Sequence, residues 1–439
     1  MRIAAAAALL AAAASMLRAG EVTWAKDIAP IVFNNCSSCH RPGDVAPMSF
    51  LKYSEVRPWA KSIREAVATR KMPPWHADPK IGHFANDPRL TDAQIAAIRT
   101  WVEQGAKEGN PADAPAPPKF TEGWHNGQPD VVFQIPEVYV VKANSTDQNT
   151  RFVVKTNFDK DVWVQSVELR PGNRKVVHHA HLLVSGVARK PRTPAPVDPE
   201  FDRKKLIYND AWGSHMRLEA PIIDDGCAHP FGGDFPRSPD DNGALGVLAS
   251  YLPGKTPDQW PVGFAKKIPA GAEIEFAIHY ASGSGKEETD RTSVGLIFAK
   301  EPPKMEVKRR DIHNQFFRIP AGASEHPVSA CFTLDESIDL LSYTPHMHYR
   351  GKSMKMEVTR PGGKPEVIIN IPAYSFEWQT QFRYKEPVTL PKGTVVRIDA
   401  TYDNSKNNAA NPNAAETVRW GSNTASEMMD GWLEYIARN

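Results

Sequence analysis

Cysteine is scarce in this chain: four residues in 439, at positions 36, 39, 227 and 331. No run reaches the ~18 consecutive apolar residues of a membrane-spanning helix. Net charge is only +2 with 24% charged residues, so there is no basic field to draw nucleic acid or a membrane surface. From Pro129 onward helical periodicity is almost missing and no internal repeat is evident. Cysteine is also missing where a thiolate copper site would need it. Cys227-Ala228-His229 has no methionine placed to complete such a site, and Cys331 has no histidine neighbour. A blue-copper electron-transfer centre, which places a thiolate beside its histidines, is therefore excluded. What the chain does have is a surplus of proline, 38 residues, which favours strands, turns and loops over helices.

The start of the chain reads as an export signal. Arg2 supplies the positive end, AAAAALLAAAA the short apolar stretch and Leu17-Arg18-Ala19 the cleavage site, giving a signal peptide over 1–19. Export without a membrane anchor places the mature protein in the periplasm or outside the cell. Shortly after comes Cys36-Ser37-Ser38-Cys39-His40. Two thiols at this spacing can each add across a haem vinyl group, and the adjoining histidine becomes the iron's proximal ligand, the c-type haem attachment pattern. Met72 in the proline-rigid stretch Arg70-Lys71-Met72-Pro73-Pro74-Trp75 is the expected sixth ligand, with Met48 and His76 as competitors. Cys227 and Cys331 stand about a hundred residues apart, and spacing alone leaves their pairing open.

Around the haem motif the pattern is helical. Asp27 to Asn35 leads into it, Ser54 to Arg70 puts Val56, Ile63 and Val67 on one face, and Thr91 with Gln94 forms a capping box. That box opens a helix carrying Ile95, Ile98, Trp101 and Val102, which stops at Gly105. The expectation is a small all-α cytochrome c-like haem domain over 20–109, then a Pro/Ala linker over 110–122 (NPADAPAPPK at its heart). Short β-rich runs follow, among them VWVQSVEL, HHAHLLV, EIEFAIHY, EVIINI and TVVRIDATYD. They point to two tandem antiparallel β-sandwich, jelly-roll-like subdomains, 123–303 and 304–439, divided near Glu301-Pro302-Pro303.

Three histidine signals lie on these strands: His178-His179 in VVHHAHLLV, His279 in FAIHYAS, and His346-Met347-His348 in TPHMHYRGKSM. Residues i and i+2 on a strand share a face, so His346 and His348 can grip one metal. Adjacent histidines point to opposite faces, so His178 and His179 need a twist or bulge to converge. An alternative pair, His179 and His181, satisfies the i, i+2 spacing. The remaining histidines (His76, His83, His125, His215, His229, His313 and His326) read as surface or structural residues.

With these motifs in this order, residues 130–439 resemble the copper type II monooxygenases typified by peptidylglycine α-hydroxylating monooxygenase and dopamine β-hydroxylase. The resemblance implies two copper ions in two sandwich subdomains across an open, solvent-filled cleft. His178, His179 and His279 match one copper's three histidines. His346 and His348 match the other copper's His-x-His pair. Met428, in Glu427-Met428, matches that copper's thioether, with Met429 as fallback. It implies that O2 reacts at the His346/His348/Met428 copper while the other copper supplies the second electron. The ligand types agree with this on their own terms: imidazole suits both oxidation states of copper and a thioether favours Cu(I). Two departures argue against a glycine-extended peptide as substrate. Thr344 stands where peptide-hydroxylating members carry an arginine, and Trp432 where they carry a tyrosine.

The expected function is that of a periplasmic or secreted copper monooxygenase that hydroxylates a C–H bond of a small organic substrate. Its cofactors are covalent haem c and two copper ions, and the haem passes electrons in. Its partners are O2, the substrate and a periplasmic electron-donor protein or small reductant, with no nucleic acid. The alternatives are a non-catalytic copper/haem electron-transfer protein and a haem-linked copper dehydrogenase or oxidase.

Overall fold

The computed structural model describes residues 20–42, 44, 46–120, 123–145, 148–186, 206–208, 215–217, 246–252, 255–281, 285–421 and 423–438. The expected signal peptide over 1–19 and Cys227 lie outside them. The chain divides into two compact units, one of residues 1–75 and 88–119, the other of 76–87 and 120–439.

The first unit is built from short helices: Ala29–Asn35, Tyr53–Val56, Ala60–Ala68 and Asp92–Glu103. The capping box at Thr91 and Gln94 is present in both directions, and Gly105 takes the positive φ that ends the helix. Pro58 breaks the expected Ser54–Arg70 helix. It lacks the N–H that a helix interior needs, so the chain passes through a 3-10 turn at Arg57–Trp59 before resuming at Ala60. Trp24, Ile28, Val32, Val67, Ile98 and Trp101 form a small core.

The expected fold class, a small all-α cytochrome c domain ahead of two sandwiches, is corrected by this structure. Strand makes up 39% of the described residues and helix only 12%. Among the described residues no helix is longer than the twelve residues of Asp92–Glu103, and together they do not add up to a sizeable all-α domain. Proline explains much of this: Pro42 and Pro47, then Pro73, Pro74, Pro79 and Pro88, keep the stretches between helices in loops.

Among the described residues, the regular structure of the second unit is β. One sheet runs, in order, Val131–Gln134, Ser293–Phe298, Val162–Arg170, Phe264–Ile268, Met305–His313, Asp430–Ala437, Ile338–His346 and Phe382–Leu390, with Asp258–Gln259 on Val162–Arg170. A four-stranded sheet, Gln148–Lys155, Glu273–Tyr280, Val177–Ser185 and Gly246–Tyr251, contributes to one apolar core with it. A second, His326–Thr333, Val395–Tyr402, Gly351–Thr359 and Pro365–Ile371, meets it where Tyr343 Oη donates to Met354 Sδ. Met354, Met356 and Val358 alternate into the interior, the period-2 pattern of a strand with one buried face.

The two halves share the long sheet because Phe264–Ile268 pairs in parallel with Met305–His313. A buried ion pair reinforces that seam. Lys266 Nζ donates to Glu434 Oε1 at 2.6 Å and to the Leu248 carbonyl at 2.9 Å. Burial alone would raise the Glu434 carboxyl, but the Lys266 ammonium outweighs it and holds the group below its ordinary range. Lys266→Met should destabilise the fold by about 3–5 kcal/mol by leaving Glu434 buried and uncompensated. Lys266→Met with Glu434→Leu should recover most of that loss, measured by denaturant unfolding of both variants.

Candidate metal centre

The strands bring the three histidine signals into one cluster, buried except for the half-buried His178. His279 pairs with His179 across neighbouring strands, but the next residue, Tyr280, pairs with Val177. His178 is thus the extra residue of a β-bulge, the local twist that two adjacent histidines need to face the same way. Their Nδ1 atoms converge: His178 and His179 lie 3.1 Å apart, His279 and His179 3.3 Å apart. The ligand atoms of all three fall within 4.8 Å of one another. Nitrogens held by one metal at 2.0–2.1 Å in tetrahedral geometry stand about 3.3 Å apart. The spacing therefore fits a metal ion at the centre of the group. His181 sits on the same strand with its Nδ1 at 2.8 Å from Ser250 Oγ, and it is His178, not His181, that completes the three-histidine set.

His346 closes its strand and His348 lies just beyond it, with Met347 buried between them on the other side. His346 Nδ1 is 2.7 Å from Gln379 Oε1, and His348 Nδ1 is 3.1 Å from the Ser426 carbonyl. Both partners only accept, so each ring carries its proton on Nδ1 and turns its Nε2 lone pair free for a metal. Gln379 is itself oriented by donating to the Phe376 carbonyl at 3.3 Å.

The backbone of Met428 is tied to that of His348 by the buried Glu427 side chain. Glu427 accepts from the backbone N–H of His348 at 2.8 Å, of Arg350 at 2.6 Å and of Met428 at 3.3 Å. Burial pushes its carboxyl up to about 8, against these donors and the Arg350 guanidinium, which favour the ionised form. Met429, the fallback ligand, is fully buried, whereas Met428 is half-buried. Burial, aided by the neighbouring rings, also holds His179 and His348 well below their ordinary range, and His346 at about 4. Neutral imidazole is the form that binds a metal.

Thr344 and Trp432 are cross-strand partners beside the cluster. The Trp432 ring stacks on His346 at 5.1 Å, and the Arg309 guanidinium lies over it at 4.4 Å. Thr344, Trp432, Ser250, Lys255 and Arg309 help line a polar cavity of about 20 Å³.

In the first unit, Cys36, Cys39 and His40 fall on one tight turn, with the His40 amide donating to the Cys36 carbonyl at 2.9 Å. Neither cysteine is in a disulfide, and burial raises the Cys36 thiol to about 12. His40 stacks on Phe50 at 4.2 Å and turns Nδ1 to the Met48 carbonyl at 3.3 Å, so Nε2 is the ring nitrogen a metal would take. That arrangement fits a haem attached at this turn. Met72 is half-buried on the loop after Ala60–Ala68, its amide on the Ala66 carbonyl. Cys331 is disulfide-bonded.

Sequence reasoning did not find Gln379, Phe376 or Thr424, whose hydroxyl lies 3.3 Å from His279 Nε2. None belongs to a motif. Glu427 was visible only as the neighbour of Met428.

No family model and no curated protein sequence matches the chain. Among solved structures, one of PNGF-II is similar over 70% of this chain, at 10% identity and a TM-score of 0.27. The chain spans 65% of that protein's length, just under two thirds. The major capsid protein P2 of bacteriophage PM2 is similar over 70% of this chain and 98% of its own, at 8% identity and a TM-score of 0.22.

Glu427→Ala should cost about 3 kcal/mol or more, because two buried amides and the half-buried one of Met428 lose their acceptor. Glu427→Gln, which keeps a carbonyl oxygen in place, should lose less. Thermal denaturation of the two variants against the parent protein reads the difference.

Proposed function

We propose that this protein is a copper monooxygenase, periplasmic or secreted, that hydroxylates a C–H bond of a small organic substrate and draws its electrons through a covalently attached haem. The observation that carries the reading is the cluster of five histidines, four of them buried and His178 half-buried. In it the Nδ1 atoms of His178, His179 and His279 stand at metal-ligand spacing, and the Nε2 atoms of His346 and His348 are left free by acceptors on Nδ1. The overall conversion is R–H + O2 + 2 e⁻ + 2 H⁺ → R–OH + H2O. Copper, when bound, supplies one-electron redox chemistry and a coordination position open to O2.

The chain's own residues do the positioning. Gln379 and the Ser426 carbonyl fix the tautomers of His346 and His348, and Glu427 ties the His348 turn to Met428, which would complete that copper's ligand set. His178, His179 and His279 would hold the second copper. Burial of His179, His279, His346 and His348 keeps bulk water from these rings, and it holds His179, His346 and His348 in the neutral form that binds a metal. Thr344 and Trp432, in place of an arginine and a tyrosine, favour a small substrate over a peptide. Cys36 and Cys39 would anchor the haem, with His40 and Met72 as iron ligands. The proline-rich stretch before residue 120 keeps the two parts of one chain at high effective concentration, which favours the haem as the one-electron donor.

Elemental analysis with electron paramagnetic resonance should find one haem and two type II coppers per chain, and one copper fewer in His346→Ala. A haem with no copper, or zinc in its place, overturns the reading. Stopped-flow mixing of the reduced protein with O2 should show faster haem reoxidation in the copper-loaded than in the copper-free form. Equal rates would remove the haem from the electron path.

A further inference from the structure

The resemblance to copper monooxygenases implies two ligand sets facing each other across an open, solvent-filled cleft. The structure has a different arrangement. The His179 ring lies 6.0 Å from the His346 ring, centroid to centroid. That is little more than the 5.2 Å between His346 and His348 within one set. His179, His279, His346 and His348 are each at most 7% exposed. A single segment reaches both sets. Phe376 stacks on His178 at 4.7 Å with ring planes 18° apart, and presents its ring to His348 at 6.0 Å. Three residues on, Gln379 holds His346 by its Nδ1 and returns to the Phe376 carbonyl. Phe376 and Gln379 are both buried, so neither can shift without moving a histidine of one set or the other.

Resting on the copper reading above, we infer that the two histidine sets are halves of one closed dinuclear centre, with Phe376 as its partition and the Phe376–Gln379 segment as the coupling between the halves. Two cations brought this close in a water-poor pocket repel each other more strongly than across solvent. The second ion should therefore bind more weakly than the first. A change in one set is passed to the other through the shared phenyl ring and the Gln379 contact. Phe376 and Gln379 are positioning residues, since they act through the ligands.

The test is a Cu(II) titration of the haem-loaded, full-length protein followed by electron paramagnetic resonance, in the parent protein, His178→Ala, His346→Ala and the near-isosteric Phe376→Leu. In the parent, the second equivalent should bind at least about ten-fold more weakly than the first, a difference of 1.4 kcal/mol. The doubly loaded signal should be broadened by spin–spin interaction rather than be the sum of two single-copper spectra. Each alanine variant should bind one copper, with hyperfine parameters that differ from those of the same site in the parent. Phe376→Leu should keep both coppers but alter both signals. Two equal affinities with additive spectra, or single-site spectra unchanged in the alanine variants, would overturn the coupled centre and leave the copper reading standing. One copper per parent chain would overturn the pair. No copper at all would sink this inference together with the reading on which it rests.

Discussion

The buried Glu427 side chain is the constraint on which the candidate centre depends. His348 lies beyond the end of its strand and Met428 before the start of another, so no sheet ladder fixes either backbone. One buried side chain takes up the amides of His348, Arg350 and Met428 and so sets their spacing. Around it the fixation continues. Arg350, itself only 2% exposed, donates to Asn404 Oδ1 and to the Ala425 carbonyl, next to the Ser426 carbonyl that holds His348. Tyr402 Oη donates to the Met428 carbonyl. His346 and His348 are thus each held at Nδ1 by an acceptor, the condition under which an imidazole lone pair stays aimed at a metal.

The three-histidine set is held by different means. His178 and His179 converge because the strand gains a residue opposite Tyr280, and Tyr280 is pinned by Asp290 at 2.9 Å. The bulge is therefore locked from the partner strand. The four-stranded sheet that carries this set shares an apolar core with the long sheet, and the long sheet runs on to the His346 strand, with the Lys266–Glu434 pair bound across the Met305–His313 strand. One sheet running through both halves is the reason the two sets meet instead of standing on separate sandwiches.

The N-terminal part has another character. Its helices are short, and what orders the Cys36–His40 turn is local: helix-type bonds back to Val32 and Cys36, and a carbonyl and a phenyl ring on His40. Residues 76–87 do not stay with it. They pack on the β unit, where Ala85 and Asn86 bond to Arg383 and Gln381 along the edge strand Phe382–Leu390. An edge strand that would otherwise present bare backbone is covered by the chain's own earlier segment.

The amino-acid sequence by itself determined the helix beginning at Thr91, the β-rich character after residue 129, and the need for a bulge at His178-His179. Each of these is a matter of local spacing or periodicity, and local rules act on near neighbours. It also picked out the histidines, because their types and order are unusual for strands. The tertiary structure alone decided the rest. The broken helix at Pro58 and the small helical share went against the all-α expectation because proline and loop geometry outweighed the apolar periodicity. Choosing His178 over His181 required the register with Glu273–Tyr280. Gln379, Phe376 and Thr424 stand 33, 198 and 145 residues from the histidines they touch. Contacts at such separations are set by how sheets stack, and no pattern along the chain encodes them.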